Sequence, residues 1–224
     1  MTSTSVALLL AWGMVVGLDL ISIPQIMIAR PLVAGTVAGA LAGDPLAGAL
    51  VGVLLELFAL EILPVGAARY PDYGPAAVAG AATAAGVPTI LGLGLAGLVG
   101  LVMAFTGEWS ILVLRRRNTA DVRRNAGRLD VGDPAAVRGV HARCIARDAL
   151  RALLLTAVGL VLAALVHRWA FLSVRTSVLL LAVLVGVALS TGAAGALRLA
   201  HGQRRASLWF LAGLAVGIVL VVWR

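Results

Sequence analysis

The chain has 224 residues, of which 61% are hydrophobic and only 12% are charged. Ordinary soluble domains carry about half apolar and about a quarter charged residues, so this composition excludes them and predicts an all-α, polytopic membrane protein. The net charge of +8 comes from arginine without any lysine. Nucleic acid is not expected as a partner, because the clustered arginines lack the interleaved aromatic residues that stack on bases.

Several apolar segments are long enough to predict transmembrane helices, because about 20 helical residues cross a bilayer. They are residues 5–23, 45–63, 88–114, 152–167, 176–197 and 207–223. Two shorter apolar segments, 31–43 and 75–87, predict re-entrant or broken helices in the N-terminal half. Composition divides the chain into an N-terminal membrane region (1–114), an arginine-rich cytoplasmic loop (115–151) and C-terminal transmembrane helices (152–224).

Glycines recur at every fourth position in the N-terminal half, which predicts a flat helix face for close packing in lipid. They are Gly35, Gly39 and Gly43, followed by Gly48 and Gly52. Glu56 continues the second run by one more step of four, so it is expected to face protein or a cavity. An acid in a membrane helix is costly unless it is paired or hydrated, which makes Glu56 a candidate functional residue. The alternative is a glutamate that only packs, through a hydrogen bond to a neighbouring helix.

Polar residues flank the glycine run, in segments that proline and glycine make irregular. Gln25 and Arg30 precede it, and Asp72 follows it. Unwound backbone at membrane depth requires protein or a water-filled cavity around it. Amide and carboxylate groups there predict a site for a polyhydroxylated ligand. Tyr70 and Tyr73 either stack on a sugar ring or are ordinary interfacial tyrosines. Glu61, about 140° around the helix from Glu56, does not share its site.

Ten of the eighteen arginines lie in 115–151, which predicts a cytoplasmic location for this segment. Asp133 followed by Pro134 is a helix-start signal. The apolar face that follows comprises Val137, Val140, Cys144, Ile145 and Ala149. This pattern predicts a cytoplasmic amphipathic helix, lying either on the membrane surface or against the protein itself. Cys144 is the only cysteine, so neither an internal disulfide nor a cysteine metal site is expected.

A family resemblance rests on residues 29–72, ARPLVAGTVAGALAGDPLAGALVGVLLELFALEILPVGAARYPD. This stretch resembles the signature of the IIC membrane subunit of the mannose/fructose/sorbose-family phosphotransferase system (PTS). The shared pattern is Arg-Pro-Leu, Gly-Asp, glycines at steps of four, Gly-x-x-x-Glu, Val-Gly-Ala-Ala and Pro-Asp. The basic segment is similar as well, at Asn118, Ala120, Asp121, Gly127 and His141.

The resemblance implies a sugar-translocating subunit of the bacterial inner membrane, which forms an oligomer with a IID membrane subunit. It would import a hexose or related sugar, while soluble IIA and IIB subunits carry the phosphoryl group, so the chain itself is not expected to be an enzyme. Gln25, Glu56 and Asp72 are expected to bind sugar hydroxyls, and Arg30 to hold the broken segment. No cofactor or metal is expected. The alternative is a degenerate regulatory or scaffold subunit that recruits phosphotransferase proteins without transport.

Overall fold

A computed structural model describes residues 2–60, 69–87, 89–169 and 173–199 of the chain. These residues form eight helices and no strand. The helices are α1 (Ser3–Asp19), α2 (Pro31–Ala42), α3 (Pro45–Ala59), α4 (Tyr73–Ala84), α5 (Thr89–Arg124), α6 (Ala126–Asp130), α7 (Pro134–Trp169) and α8 (Val174–Leu199). The all-α fold expected from composition is therefore confirmed.

Among the described residues, three helices are long and apolar enough to cross a membrane. They lie at Gly92–Arg124, Pro134–Arg168 and Val174–Ala193, and they contain most of the predicted spans 88–114, 152–167 and 176–197. Two N-terminal helices end earlier than predicted. Helix α1 ends at Asp19, whose carboxylate binds the following loop, and α3 ends at Ala59. Residues 61–63 of the predicted span 45–63, the site of Glu61, and the whole span 207–223 lie outside the described residues.

Helices α2 and α3 form a hairpin held by the predicted glycine face. A Cβ atom on Gly39 would lie 2.7 Å from the Gly48 Cα, and one on Gly35 would lie 2.7 Å from the Gly48 carbonyl oxygen. The turn uses Gly43 at φ 91°, a left-handed conformation that glycine adopts without steric cost. Asp44 then caps α3 by accepting a hydrogen bond from the Ala47 N–H at 3.0 Å. The hairpin confirms the close backbone packing predicted from the glycine period.

Helix α4 is the centre of the fold, because every residue from Tyr73 to Ala84 is buried. Its side chains are mostly alanine, so α1, α2, α3, α5 and α7 can all pack against it. The predicted broken segments 31–43 and 75–87 correspond to α2 and α4, each a helix of 12 residues. At ~1.5 Å per residue, such a helix spans only about 18 Å, so protein must surround its ends. For α4 that cover is complete.

Most of the arginine-rich segment 115–151 is helical, beyond the one amphipathic helix predicted within it. Helix α5 continues through it to Arg124, α6 makes the turn, and α7 begins at Pro134 as predicted. Asp133 caps α7, and the hydrogen bond from Arg128, with those from the Ala135 and Ala136 N–H groups, lowers the pKa of its carboxyl group.

The predicted amphipathic helix is the first part of α7, a continuous helix of 36 residues, because no proline follows Pro134 in the chain. On its predicted apolar face, Val140 is buried, Cys144, Ile145 and Ala149 are partly buried, and Val137 is exposed; the neighbouring Ala136 is also buried. On the neighbouring part of the helix, Arg143 Nε and Arg147 Nη1 each lie 2.9 Å from an Asp121 Oδ2 on α5. This part of α7 therefore packs against the protein itself, which was the second of the two expected placements.

The hairpin contact makes a prediction about stability. Gly39→Ala should lower the melting temperature in detergent by several degrees, because its Cβ would overlap backbone atoms of α3, an overpacking that costs about 1–3 kcal/mol. Gly186→Ala is the matched control, since a Cβ on this α8 glycine meets nothing within 4 Å. Thermal unfolding followed by intrinsic fluorescence measures both variants. Equal melting temperatures would contradict the role given to the glycine face.

Candidate functional site

The loop that joins α1 to α2, residues 20–30, has two of its backbone N–H groups held by one carboxylate. Asp19, at the end of α1, is 3% exposed. Its Oδ1 accepts a hydrogen bond from the Ile26 N–H at 2.7 Å, and its Oδ2 accepts one from the Ala29 N–H at 3.0 Å. Hydrogen bonds to a charged acceptor are roughly twice as strong as neutral ones. Asp19 therefore supplies acceptors that a regular helix or strand would supply from its backbone.

Two residues of this loop have left-handed backbone conformations, Gln25 at φ 59° and Met27 at φ 68°. Neither is glycine, so each conformation costs on the order of 1–3 kcal/mol and persists only where its surroundings impose it. Residues held in such conformations cluster at binding sites, where they direct a side chain that regular structure would place elsewhere. Both Gln25 and Met27 line the cavity that follows the loop.

A cavity of about 390 Å³ lies between this loop, the start of α2 and the residues that lead into α4. Its lining comprises Asp19, Leu20, Gln25, Met27, Ala29, Arg30, Pro31, Ala59, Tyr70, Pro71 and Tyr73. The volume lies in the range of small-molecule sites. The lining combines apolar side chains with an amide, a guanidinium, a carboxylate and two phenols. This combination suits a ligand that has both hydroxyl groups and an apolar face.

Arg30 lines the cavity and forms an ion pair with Glu56 of α3. The second carboxylate oxygen of Glu56 accepts a hydrogen bond from the Leu32 N–H at 3.2 Å. Glu56 therefore faces protein rather than lipid, as its place on the glycine face predicted. Glu56 does not itself line the cavity, but it positions the Arg30 guanidinium, which does.

Asp72 lies on the far side of the cavity wall. Its neighbours Pro71 and Tyr73 line the cavity, but its own side chain is fully buried and is absent from the lining. Its Oδ2 lies 2.6 Å from Arg151 Nη1 of α7. The Arg151 Nε in turn lies 2.8 Å from Asp148 Oδ1. Of the sequence-predicted site residues, Gln25 and Arg30 thus meet at the cavity, Glu56 is one contact removed, and Asp72 is in a separate ionic cluster.

Both tyrosines named from the sequence reach the cavity. The Tyr70 hydroxyl accepts a hydrogen bond from Arg115 Nη2 at 3.2 Å, and the Arg115 guanidinium carbon lies 5.3 Å from the centre of its ring. That distance is typical of a cation–π contact, which fixes the orientation of the ring. Tyr70 is 5% exposed and Tyr73 is 8% exposed, so each presents only a small part of its surface.

Sequence reasoning missed two residues that organise this region. Asp19 lies inside the predicted span 5–23, and an acid at membrane depth is by itself a signal of a functional or structural site. The sequence identifies Arg151 only as one of the arginines that predict the cytoplasmic side. Its burial could not be read from the segment, because the hydrophobic pattern does not tell which arginine turns inward. Within the described residues, no group of three His, Cys, Asp or Glu side chains is arranged to hold a metal ion.

Two solved structures share this fold. One is described only as a membrane protein, with a TM-score of 0.72 and 20% identity, and the comparison covers 99% of this chain and 94% of that one. The other is the cryo-EM structure of the mannose transporter ManYZ in complex with microcin E492. Its TM-score is 0.64 at 18% identity, again over 99% of this chain and 94% of the solved chain. At these identities the likeness concerns the fold.

Sequence comparison adds the family. The PTS system sorbose-specific EIIC component of Lacticaseibacillus casei is 35% identical over 71 residues. This match covers 32% of the present chain and 25% of that relative. The sequence model of the family described as the PTS system sorbose-specific IIC component matches residues 3–180, which is most of the chain. The chain therefore belongs to the sorbose-specific IIC component family of the phosphotransferase system.

Proposed function

We propose that this chain is the sugar-translocating IIC subunit of a mannose-family phosphotransferase system, and that it binds a hexose or related sugar in the cavity beside α2. The observation that carries the proposal is the cavity itself. Its walls come from the loop 20–30, the start of α2, the end of α3 and the segment 70–73, and they offer an amide, a guanidinium and two tyrosines to one small volume. Family membership supports the class of function.

The lining suggests how a sugar is recognised. The Gln25 side-chain amide both donates and accepts hydrogen bonds, so it matches a hydroxyl group in either role. Arg30 adds donors in a fixed planar arrangement. The Tyr70 and Tyr73 rings offer apolar surface to the carbon face of a pyranose. Glu56 remains part of the proposed site, because it holds Arg30, and Asp72 remains part of it through the wall that it anchors.

The proposed partners are a IID membrane subunit and soluble IIA and IIB subunits, in the bacterial inner membrane. Helix α8 presents several exposed apolar side chains, which suit lipid or a second membrane subunit. They are Val178, Leu179, Val183, Val187 and Leu189. The α5–α7 hairpin presents exposed arginines on the side proposed to be cytoplasmic, where soluble subunits would approach. In this proposal, phosphoryl transfer belongs to those subunits, and the IIC chain supplies the path for the sugar.

Uptake separates transport from the scaffold alternative. Vesicles that contain this chain and its IID partner, loaded with the soluble subunits and a phosphoryl donor, should accumulate radiolabelled phosphorylated sugar when offered mannose or sorbose. Vesicles that contain the IID partner alone are the control. Binding of the soluble subunits without any uptake would contradict the proposal and leave the scaffold role.

Gln25→Ala should weaken sugar binding about tenfold. The change removes two hydrogen-bonding groups, each worth about 0.5–1.5 kcal/mol, and tenfold in affinity corresponds to 1.4 kcal/mol. Gln25→Asn should weaken binding less, since asparagine keeps the amide and tolerates a left-handed backbone. Equilibrium binding of labelled mannose and sorbose measures both. The matched control is Thr106→Ala, because the Thr106 hydroxyl is exposed and bonds to the Val102 carbonyl of its own helix. Equal affinity of all variants would remove Gln25 from the site.

Glu56→Gln tests the ion pair without changing its shape. The variant keeps one acceptor for Arg30 and loses the charge, so sugar affinity and uptake should fall several-fold while the melting temperature changes little, because the Arg30 side chain is 42% exposed. Glu108→Gln is the matched control, since this glutamate lies on α5 and does not line the cavity. If binding and uptake are the same in both variants, Glu56 serves packing alone.

A further inference from the structure

We infer that Arg151 is a positioning residue that fixes both walls of the cavity to α7. It contacts no lining surface itself, and it acts through Asp72 on one wall and through Asp148 and Ser22 on the other. The inference rests on the proposed function only in its consequence for sugar affinity. The mechanical part of the inference, that Arg151 restrains the two walls of the cavity, concerns the chain alone and is tested separately.

The first wall is the segment that leads into α4. Pro71 and Tyr73 face the cavity, whereas the Asp72 side chain between them points to α7 and receives the Arg151 guanidinium at 2.6 Å. The Asp72 N–H also donates to the Ala104 carbonyl at 3.0 Å. Asp72 packs closely on Gly107 of α5: a Cβ atom added to Gly107 would lie 2.5 Å from the Asp72 Cβ. This wall therefore has little freedom to move relative to α5 and α7.

The second wall is the loop 20–30. Asp148 uses its Oδ1 to bind Arg151 and its Oδ2 to accept a hydrogen bond from the Ser22 hydroxyl at 2.5 Å. Ser22 lies near the start of this loop, three residues before Gln25, which lines the cavity together with Met27. In addition, Arg151 Nη2 donates to the Gly17 carbonyl at 3.3 Å, near the end of α1 that precedes this loop. One guanidinium thus connects α1, the loop and the α4 entry to one point on α7.

The three charged side chains of this cluster are buried, which favours keeping them paired. The Arg151 side chain is 8% exposed, that of Asp148 is 1% exposed and that of Asp72 is 0% exposed. Buried charges stay in place only if they remain paired, and removal of one partner leaves an uncompensated charge. Arginine offers five N–H donors in a rigid planar arrangement, whereas lysine offers three from one nitrogen atom. Only the planar group matches acceptors that lie on several sides of it.

A buried ionic cluster that merely stabilises the fold would show the same contacts, so the test uses the outermost link. Ser22 is only partly buried, and its hydroxyl joins the cluster to the loop and to nothing else among the hydrogen bonds of the described residues. Ser22→Ala therefore removes the link between the loop and the cluster, while the Asp72–Arg151–Asp148 ion pairs and the Asp19 hydrogen bonds stay in place. Ser190→Ala is the matched control, because that hydroxyl is exposed and bonds to the Gly186 carbonyl of its own helix.

Hydrogen exchange measured by mass spectrometry on the purified full chain decides the mechanical part. Ser22→Ala should speed exchange in residues 20–30 about tenfold, including the Ile26 and Ala29 amides that Asp19 holds, and leave α4 and α7 unchanged. Arg151→Lys should speed exchange in both 20–30 and 69–73. Unchanged exchange in 20–30 would overturn the inference. A rise in exchange throughout the chain with a matching fall in melting temperature for Ser22→Ala would overturn it as well, because the cluster would then only stabilise the fold.

Binding of labelled mannose and sorbose tests the expected consequence, that the position of the loop affects sugar affinity. Ser22→Ala should raise the Kd about three- to tenfold at an unchanged melting temperature, because it removes one hydrogen bond and leaves the buried ion pairs in place. An unchanged Kd beside faster exchange would overturn the link from the loop to affinity. If the unmodified chain binds neither sugar, the proposed function fails, and the exchange comparison still decides the role of Arg151.

Discussion

Backbone-to-backbone contact between short helices is the constraint on which the rest of this structure depends. Helices in lipid gain little from hiding apolar side chains, since the surroundings are equally apolar, and they associate through close packing. Gly35 and Gly39 meet Gly48 and Gly52 at distances that leave no room for a side chain. The hairpin that results fixes the start of α2 against the end of α3. For this reason Arg30 and Glu56, which are distant in sequence, form a pair at the edge of the cavity.

The same packing explains how an alanine-rich helix can be the centre of the fold. Helix α4 has no large side chains beyond its first residues, so the surrounding helices approach it from every side. Such a helix fixes the positions of its neighbours, but after Tyr73 it has few polar side chains that could bind a ligand. The polar chemistry therefore lies where α4 begins, in the segment with Tyr70, Asp72 and Tyr73. Here Tyr70 and Tyr73 line the cavity, whereas the Asp72 side chain between them points to α7.

Much of the fold could be predicted because its signals are local. The glycine period, the prolines at 31, 45 and 134 and the lengths of the apolar segments each depend on residues close in sequence, and the helices begin where they indicated. The continuation of α5 through residues 115–124 could not be predicted, because a cluster of arginines indicates a side of the membrane and says nothing of helicity. Gln25 and Arg30 could be placed at the cavity, since irregular backbone near a glycine run indicates a site. The partners of Asp72 and Asp19 could not, because these contacts join residues up to 79 positions apart or depend on a loop conformation that has no sequence signature.

The use of a side-chain carboxylate to hold the loop 20–30 has a consequence for how a site of this kind can change. Asp19 accepts hydrogen bonds from the backbone N–H groups of Ile26 and Ala29. Every residue except proline has such a group, so these hydrogen bonds do not depend on which side chains the loop carries. The path of the loop is thus largely independent of the side chains that it carries. Replacement of the residue at position 25 or 27 by another that accepts a left-handed backbone would alter the polarity of the cavity and keep its shape. In the proposed site, the backbone that shapes the cavity is thus held independently of the side chains that line it, so selectivity for different ligands could arise on one unchanged backbone.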